Sequence, residues 1–207
     1  MREARRRMAA RALLAVCCML LTAGSARAGE NGWISLFDGK TLKGWEASER
    51  PENWTVEDGA ICGHGERSHL FYTNREFKNF EFKADVMINK GGNSGIFFHS
   101  QPEEGWPTKG YEAQVNNTHK DPVKTGSIYY TVKLFESPAQ DDAWWTQHII
   151  VQDKRITVKV NDKVLFEYDE PEGVAGPHKL SQGKFALQQH DPGSKVRYKN
   201  IMVKPLP

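Results

Sequence analysis

Two short stretches of this 207-residue chain carry side chains suited to proton transfer and hydroxyl recognition. The first is Gly110-Tyr111-Glu112-Ala113-Gln114-Val115-Asn116. Extended backbone sends alternate side chains to opposite faces, which puts Glu112, Gln114 and Asn116 on one side. The second is Phe185-Ala186-Leu187-Gln188-Gln189-His190, where Gln188 and His190 share a face by the same rule. A carboxyl and an imidazole make an acid/base pair, because imidazole titrates near neutrality. Amides donate and accept at once, so Gln114 and Gln188 suit a ligand rich in hydroxyls.

The bland alternatives stand beside these readings. Glu112 is either a hydroxyl-binding or proton-abstracting carboxylate, or an exposed strand residue on a wet sheet face. His190 is the preferred acid/base, or else a satisfied histidine before the turn Asp191-Pro192-Gly193. His99 shares a strand face with Phe97 and Gly95 and is equally open to a binding or a structural role. Tyr129 offers a phenolic donor, and Trp106 and Trp144 offer rings able to cover the apolar C–H face of a sugar. Trp33, Trp45 and Trp54 read as core. No cofactor is called for. A divalent cation held by Glu112, His99 and His190 stays open, although no H-x-H or H-E-x-x-H spacing supports it.

The elements that must position these groups are strands. Residues 80–88 alternate apolar and charged side chains, the mark of a strand with one wet face. Gly91-Gly92-Asn93 turns into a second strand over 94–99. Short strands are expected over 149–151, 155–160 and 163–168, joined by tight turns at Asp153-Lys154 and Asn161-Asp162, with a last strand over 196–203. No long helical period appears outside the N-terminal segment. Closely spaced turns favour an all-β sandwich or jelly roll over a parallel sheet. Polar loops over 101–109, 117–124 and 133–142 are the places where a β-scaffold makes ligand contacts.

The N-terminal segment reads as an export signal. Arg5-Arg6-Arg7 precede the apolar run 12–22, and Ala26-Arg27-Ala28 has the small-residue pattern of a cleavage site. The expected division is a signal peptide over 1–28 and one β-sandwich domain over 29–207, delivered to the periplasm or beyond. The signal carries six of the 28 Lys and Arg and one of the 26 Asp and Glu, leaving 22 basic against 25 acidic residues. No basic block survives to bind nucleic acid, and no second apolar stretch spans a membrane. Cys62 is the one cysteine left after cleavage, so no internal disulfide is expected and packing alone holds the fold.

Six blocks resemble a known family. The run Gly32-Trp33-Ile34-Ser35-Leu36-Phe37-Asp38-Gly39-Lys40-Thr41-Leu42-Lys43-Gly44-Trp45 is similar to the opening of the 3-keto-disaccharide hydrolase domain family. It is followed in order by Trp54-Thr55-Val56-Glu57-Asp58-Gly59, Asn93-Ser94-Gly95-Ile96-Phe97-Phe98 and Gly110-Tyr111-Glu112-Ala113-Gln114-Val115. Thr125-Gly126-Ser127-Ile128-Tyr129 and Leu187-Gln188-Gln189-His190 complete the series. The resemblance implies a concanavalin A-like jelly roll of two antiparallel sheets with its site on the concave face. It further implies an exported enzyme acting on glycosides oxidised to a ketone at carbon 3, fed by a sugar 3-dehydrogenase. The ketone acidifies the hydrogen on carbon 2, so a base removes it and the substituent on carbon 1 leaves by elimination, with or without later addition of water. His99 stands where relatives often carry arginine.

Two rivals remain. A non-catalytic carbohydrate-binding module needs the aromatic rings and amides but no titrating group. An endoglucanase of the laminarinase type needs paired carboxylates about 5–5.5 Å apart. Its nearest approach here, Glu81-Phe82-Lys83-Ala84-Asp85, has a lysine in the middle and no third acid, which disfavours it.

Overall fold

Alternation along the strands decides the layering. The computed structural model describes residues 30–207, so the expected export signal lies outside the described residues. In chain order the strands are β1 (Ile34–Ser35), β2 (Trp45–Ala47), β3 (Trp54–Glu57), β4 (Ala60–Gly63), β5 (Ser68–Tyr72) and β6 (Phe80–Ile88). They continue as β7 (Ser94–Ser100), β8 (Tyr111–Val115), β9 (Trp145–Gln152), β10 (Arg155–Val160), β11 (Lys163–Asp169), β12 (Lys184–Gln189) and β13 (Val196–Pro205). The larger sheet has eight strands in the order β11-β10-β9-β6-β13-β4-β3, with β1 beside β13. The smaller has five, β2-β5-β12-β7-β8. Neighbours pair antiparallel throughout, the pattern of a concanavalin A-like jelly roll. The all-β expectation is therefore met.

The core fills the space between the sheets. On β6 the residues Phe80, Phe82, Ala84, Val86 and Ile88 are all buried, and the charged residues between them face out. Phe185 of β12 meets this row from the other sheet, with ring centroids 4.7 Å from Phe80 and 4.5 Å from Phe82. Each such ring contributes roughly 1.5–3 kcal/mol by leaving water. Trp45 and Trp54 join this core. Trp33 does not: it lies under the Lys83 ammonium at 5.3 Å and edge-on to His148 at 6.2 Å. Lys83 and His148 are outward residues of β6 and β9, so Trp33 covers the outer face of the larger sheet. Cys62 is buried and unpaired. Among the described residues no helix is long and apolar enough to cross a membrane.

Candidate active site

The floor of the site is a cross-strand row on the outer face of the smaller sheet. On β8 the residues Tyr111, Ala113 and Val115 point into the core, which leaves Glu112 and Gln114 on the other face. Gly95 of β7 pairs with Gln114, and Ile96 pairs with Leu187 of β12, so Gln188 follows beside Gly95. Gly95 is thus flanked by two glutamines, and its missing side chain makes room. A Cβ there would collide with Cγ, Cδ and Oε1 of Glu112, whose carboxyl lies across the glycine. Beneath the row, the Ser94 hydroxyl donates to the Gln188 carbonyl at 2.5 Å. The Tyr198 hydroxyl lies 2.6 Å from Ser94 Oγ and 3.2 Å from the Gly95 carbonyl.

Burial pushes the Glu112 carboxyl up to about 8. The Gln188 amide works against the rise and the nearby Asp121 charge adds to it. Glu112 is therefore a neutral acid at neutral pH, able to donate. The Gln114 amide donates to Asn93 Oδ1 at 3.1 Å, which fixes its orientation over the floor. Burial holds the His69 imidazole neutral, down near 3, and its Nε2 lies 3.4 Å from Gln188 Nε2.

One wall carries an imidazole–carboxylate pair. His190 directly follows β12, and its Nδ1 lies 2.7 Å from Asp191 Oδ2. The other Asp191 oxygen accepts from the Gly193 N–H at 2.8 Å and the Ser194 hydroxyl at 3.2 Å. Desolvation raises the Asp191 carboxyl, but His190, the Gly193 N–H and Ser194 outweigh it and leave it below the ordinary range. The His190 ring stands between Trp106, at 5.1 Å, and His119, at 5.7 Å. The Asp121 N–H donates to His119 Nδ1 at 3.1 Å, so the neutral His119 ring keeps its proton on Nε2, 4.0 Å from Asp191 Oδ2. With Nδ1 committed to Asp191, His190 Nε2 has no protein partner among the described residues and is the ring atom left for a ligand.

The opposite wall is Tyr129 and Tyr130. The Tyr129 N–H donates to the Glu112 carbonyl at 2.9 Å, and its hydroxyl donates to Asp121 at 2.8 Å. Burial first, then that bond, raises the phenol, which stays neutral. Between the walls is a cavity of about 230 Å³. Six of the eight sequence-predicted residues line it: Glu112, Gln114, Gln188, His190, Tyr129 and Trp106.

His99 and Trp144 lie elsewhere. A bulge sets Lys184 opposite Ser100 but Ala186 opposite Phe97, so β7 carries an extra residue at this point. His99 takes up the bulge with φ 57° and turns against Phe80 and Phe98. Its Nε2 bonds the Lys78 carbonyl at 2.8 Å, and its Nδ1 accepts from the Ser181 N–H at 3.1 Å. Burial lowers this imidazole despite the Lys78 carbonyl, so it is a neutral structural group. Glu112, His99 and His190 consequently do not converge on one point, and among the described residues no group of three His, Cys, Asp or Glu is placed to hold a metal. Trp144 lies beneath the Lys199 ammonium, 4.1 Å from its ring centre, against the larger sheet. Asn116 falls past the end of β8. Its amide donates to the Asp121 and Val123 carbonyls and ties down the loop carrying His119.

Sequence reasoning missed Asn93, Gly95, Asp191, His119, Tyr130 and His178. Gly95 and Asn93 sat inside a quoted block, and Asp191 was read as the start of a turn. His119, Tyr130 and His178 come from loops, where no periodicity marks them.

The fold and site together define a concanavalin A-like jelly roll with a polar, aromatic-walled pocket on its smaller sheet. Residues 32–204 match the family model for the 3-keto-alpha-glucoside-1,2-lyase-like domain, and the chain belongs to that family. A 3-keto-disaccharide hydrolase of Bacteroides thetaiotaomicron is 26% identical over 230 residues, covering 85% of this chain and 79% of that protein. A candidate glycosyl hydrolase from Parabacteroides distasonis, known as a crystal structure, is 26% identical with a TM-score of 0.72, over 85% of this chain and 94% of that one. A carbohydrate-binding module from Bacillus subtilis shares the fold at 16% identity and a TM-score of 0.58, over 78% of this chain and 95% of that one.

Proposed function

We propose that this chain is a carbohydrate-active enzyme that cleaves 3-keto-glycosides by elimination across carbons 1 and 2. Family membership and the named hydrolase relative support the enzyme class. The observation that carries the mechanism is the meeting of Glu112, held protonated, and the His190–Asp191 pair in one cavity.

In this reading His190 Nε2 takes the proton from carbon 2. The C–H electron pair passes to the carbonyl at carbon 3, giving an enolate over the polar floor. The pair then returns to form the carbon 1–carbon 2 double bond as the bond from carbon 1 to the leaving oxygen breaks. Glu112 gives that oxygen its proton. The products are an unsaturated ketone and a free alcohol or sugar. Addition of water across the double bond, hydroxyl to carbon 1 and hydrogen to carbon 2, converts the outcome to net hydrolysis. Asp191 keeps the His190 proton on Nδ1 and its lone pair on Nε2. No metal or cofactor takes part in this scheme. The substrate requires a sugar 3-dehydrogenase upstream, and an export signal over residues 1–28 places the reaction outside the cytoplasm.

A second reading, a glycan-binding module, draws on the aromatic walls around Trp106 and Tyr130 and on the shared fold of the Bacillus subtilis module. Incubation of the protein with a 3-keto-disaccharide, beside the same disaccharide unoxidised, separates the two. Release of free sugar from the oxidised compound alone supports the enzyme. Binding of the unoxidised glycan without any cleavage supports the module.

A further inference from the structure

Tyr130 is 70% exposed, yet it is held firmly. It sits at the tip of a tight turn closed at both ends, where Ile128 and Val132 exchange backbone hydrogen bonds of 3.0 and 2.9 Å. Its φ is 66°, a left-handed conformation that is unfavourable for a bulky side chain and that clusters at functional sites. The ring of His178 lies 5.6 Å away at 35°, brought in by a different loop and anchored through Nδ1 to the Gly110 carbonyl at 3.2 Å. Tyr130 and His178 thus form a shelf at the cavity mouth, on the side where the Tyr129 N–H is bonded to the backbone of Glu112.

We infer that this Tyr130–His178 shelf receives the leaving group of the glycoside, a six-membered ring with an apolar face, while the oxidised ring occupies the cavity between Trp106 and Glu112. The inference rests on the elimination reading above for its direction. The cavity, about 230 Å³, lies below the roughly 300–1,000 Å³ of sites that enclose a drug-sized ligand, and so takes one ring and leaves the second outside. The base stands on the Trp106 wall, and the acid lies on the floor between it and the Tyr129–Tyr130 wall, its carboxyl across Gly95 and its strand bonded to Tyr129. The oxygen that accepts the acid's proton, and whatever it carries, therefore points to the shelf. A pyranose and an aryl group both present an apolar face to such a ring, axial C–H hydrogens in one case and a π-face in the other.

The test is calorimetric titration of the full chain carrying Glu112→Gln, so that no substrate turns over. The ligands are the methyl, phenyl and glucosyl 3-keto-α-glucosides. Phenyl and glucosyl compounds are expected to bind more tightly than methyl. Adding Tyr130→Ala is expected to weaken those two about tenfold and bring their affinity ratio to methyl close to one, whereas Tyr130→Phe keeps the ratio. Loss of the ratio for one ring type alone identifies the leaving group as aryl or sugar. A ratio that survives Tyr130→Ala, or an equal loss for all three ligands, overturns the inference. Turnover is read separately on the parent chain. A lost ratio in a protein that never cleaves removes the elimination reading and leaves the shelf, and cleavage with an unchanged ratio does the reverse.

Discussion

Asp191 is the residue on which His190 depends, and it lies one position along the chain. Its carboxylate is itself fixed by Gly193 and Ser194, so the imidazole is held in one orientation before any ligand arrives. In the proposed elimination, His190→Ala lowers kcat by about 10²–10⁴, the range for a positioned proton-transfer group. Asp191→Asn lowers kcat with KM little changed, because it disturbs the tautomer and not the binding floor; steady-state kinetics on a 3-keto-glycoside checks both. Glu112 carries the pH dependence. As the acid it must be protonated, so kcat/KM falls as pH rises through about 8. The same shift bears on stability. Folding raises this carboxyl from 4.5 to about 8, so the folded form holds the proton more tightly and stability declines as pH climbs between those values. Glu112→Gln removes that decline. Its melting temperature is expected to match the parent below about pH 4.5 and exceed it above about pH 8.

At the scale of the element, β7 does two jobs. Its Gly95 opens the floor, and its bulge at His99 ends the alternation that would have aimed a third titrating ring at the pocket. Gly95→Ala keeps an ordinary strand conformation but displaces the Glu112 carboxyl. Circular dichroism should show the fold intact while kcat/KM drops about tenfold or more, as misplacing a reacting group does. His99→Ala strands the Lys78 carbonyl and the Ser181 N–H, so the denaturation midpoint should fall by an amount worth about 1–3 kcal/mol with kcat/KM nearly unchanged. These contrasts show what was legible in the chain. β6 can be read directly because its nine residues repeat the two-residue period without a break. The alternation Glu112/Gln114 and the pair Gln188/His190 follow from the same rule. His99 does not, since an inserted residue reverses its face and leaves no mark in composition. β1 to β5 are two to five residues long, too short for a period to declare itself. β1 and β4 pair with the distant β13 and β5 with β12, while β2 adds to β5 and only β3–β4 is a local hairpin.

At the scale of the whole molecule, two sheets share one core with no disulfide among the described residues, and Cys62 is buried and free on the face of β4 opposite Ile61. The unfolding midpoint is therefore expected to be the same with and without reductant; a drop on reduction would point to a covalent link that this packing does not need. The pocket draws on strands β7, β8 and β12 and on five loops, so it exists only in the assembled sandwich. In the proposed elimination the proton on carbon 2 leaves before the glycosidic bond is broken. The most direct measurement is nuclear magnetic resonance of a 3-keto-disaccharide incubated with the protein in heavy water. The carbon 2 proton is expected to be lost as free sugar appears, with neither change exceeding background in His190→Ala. Free sugar released while carbon 2 keeps its original hydrogen would contradict it.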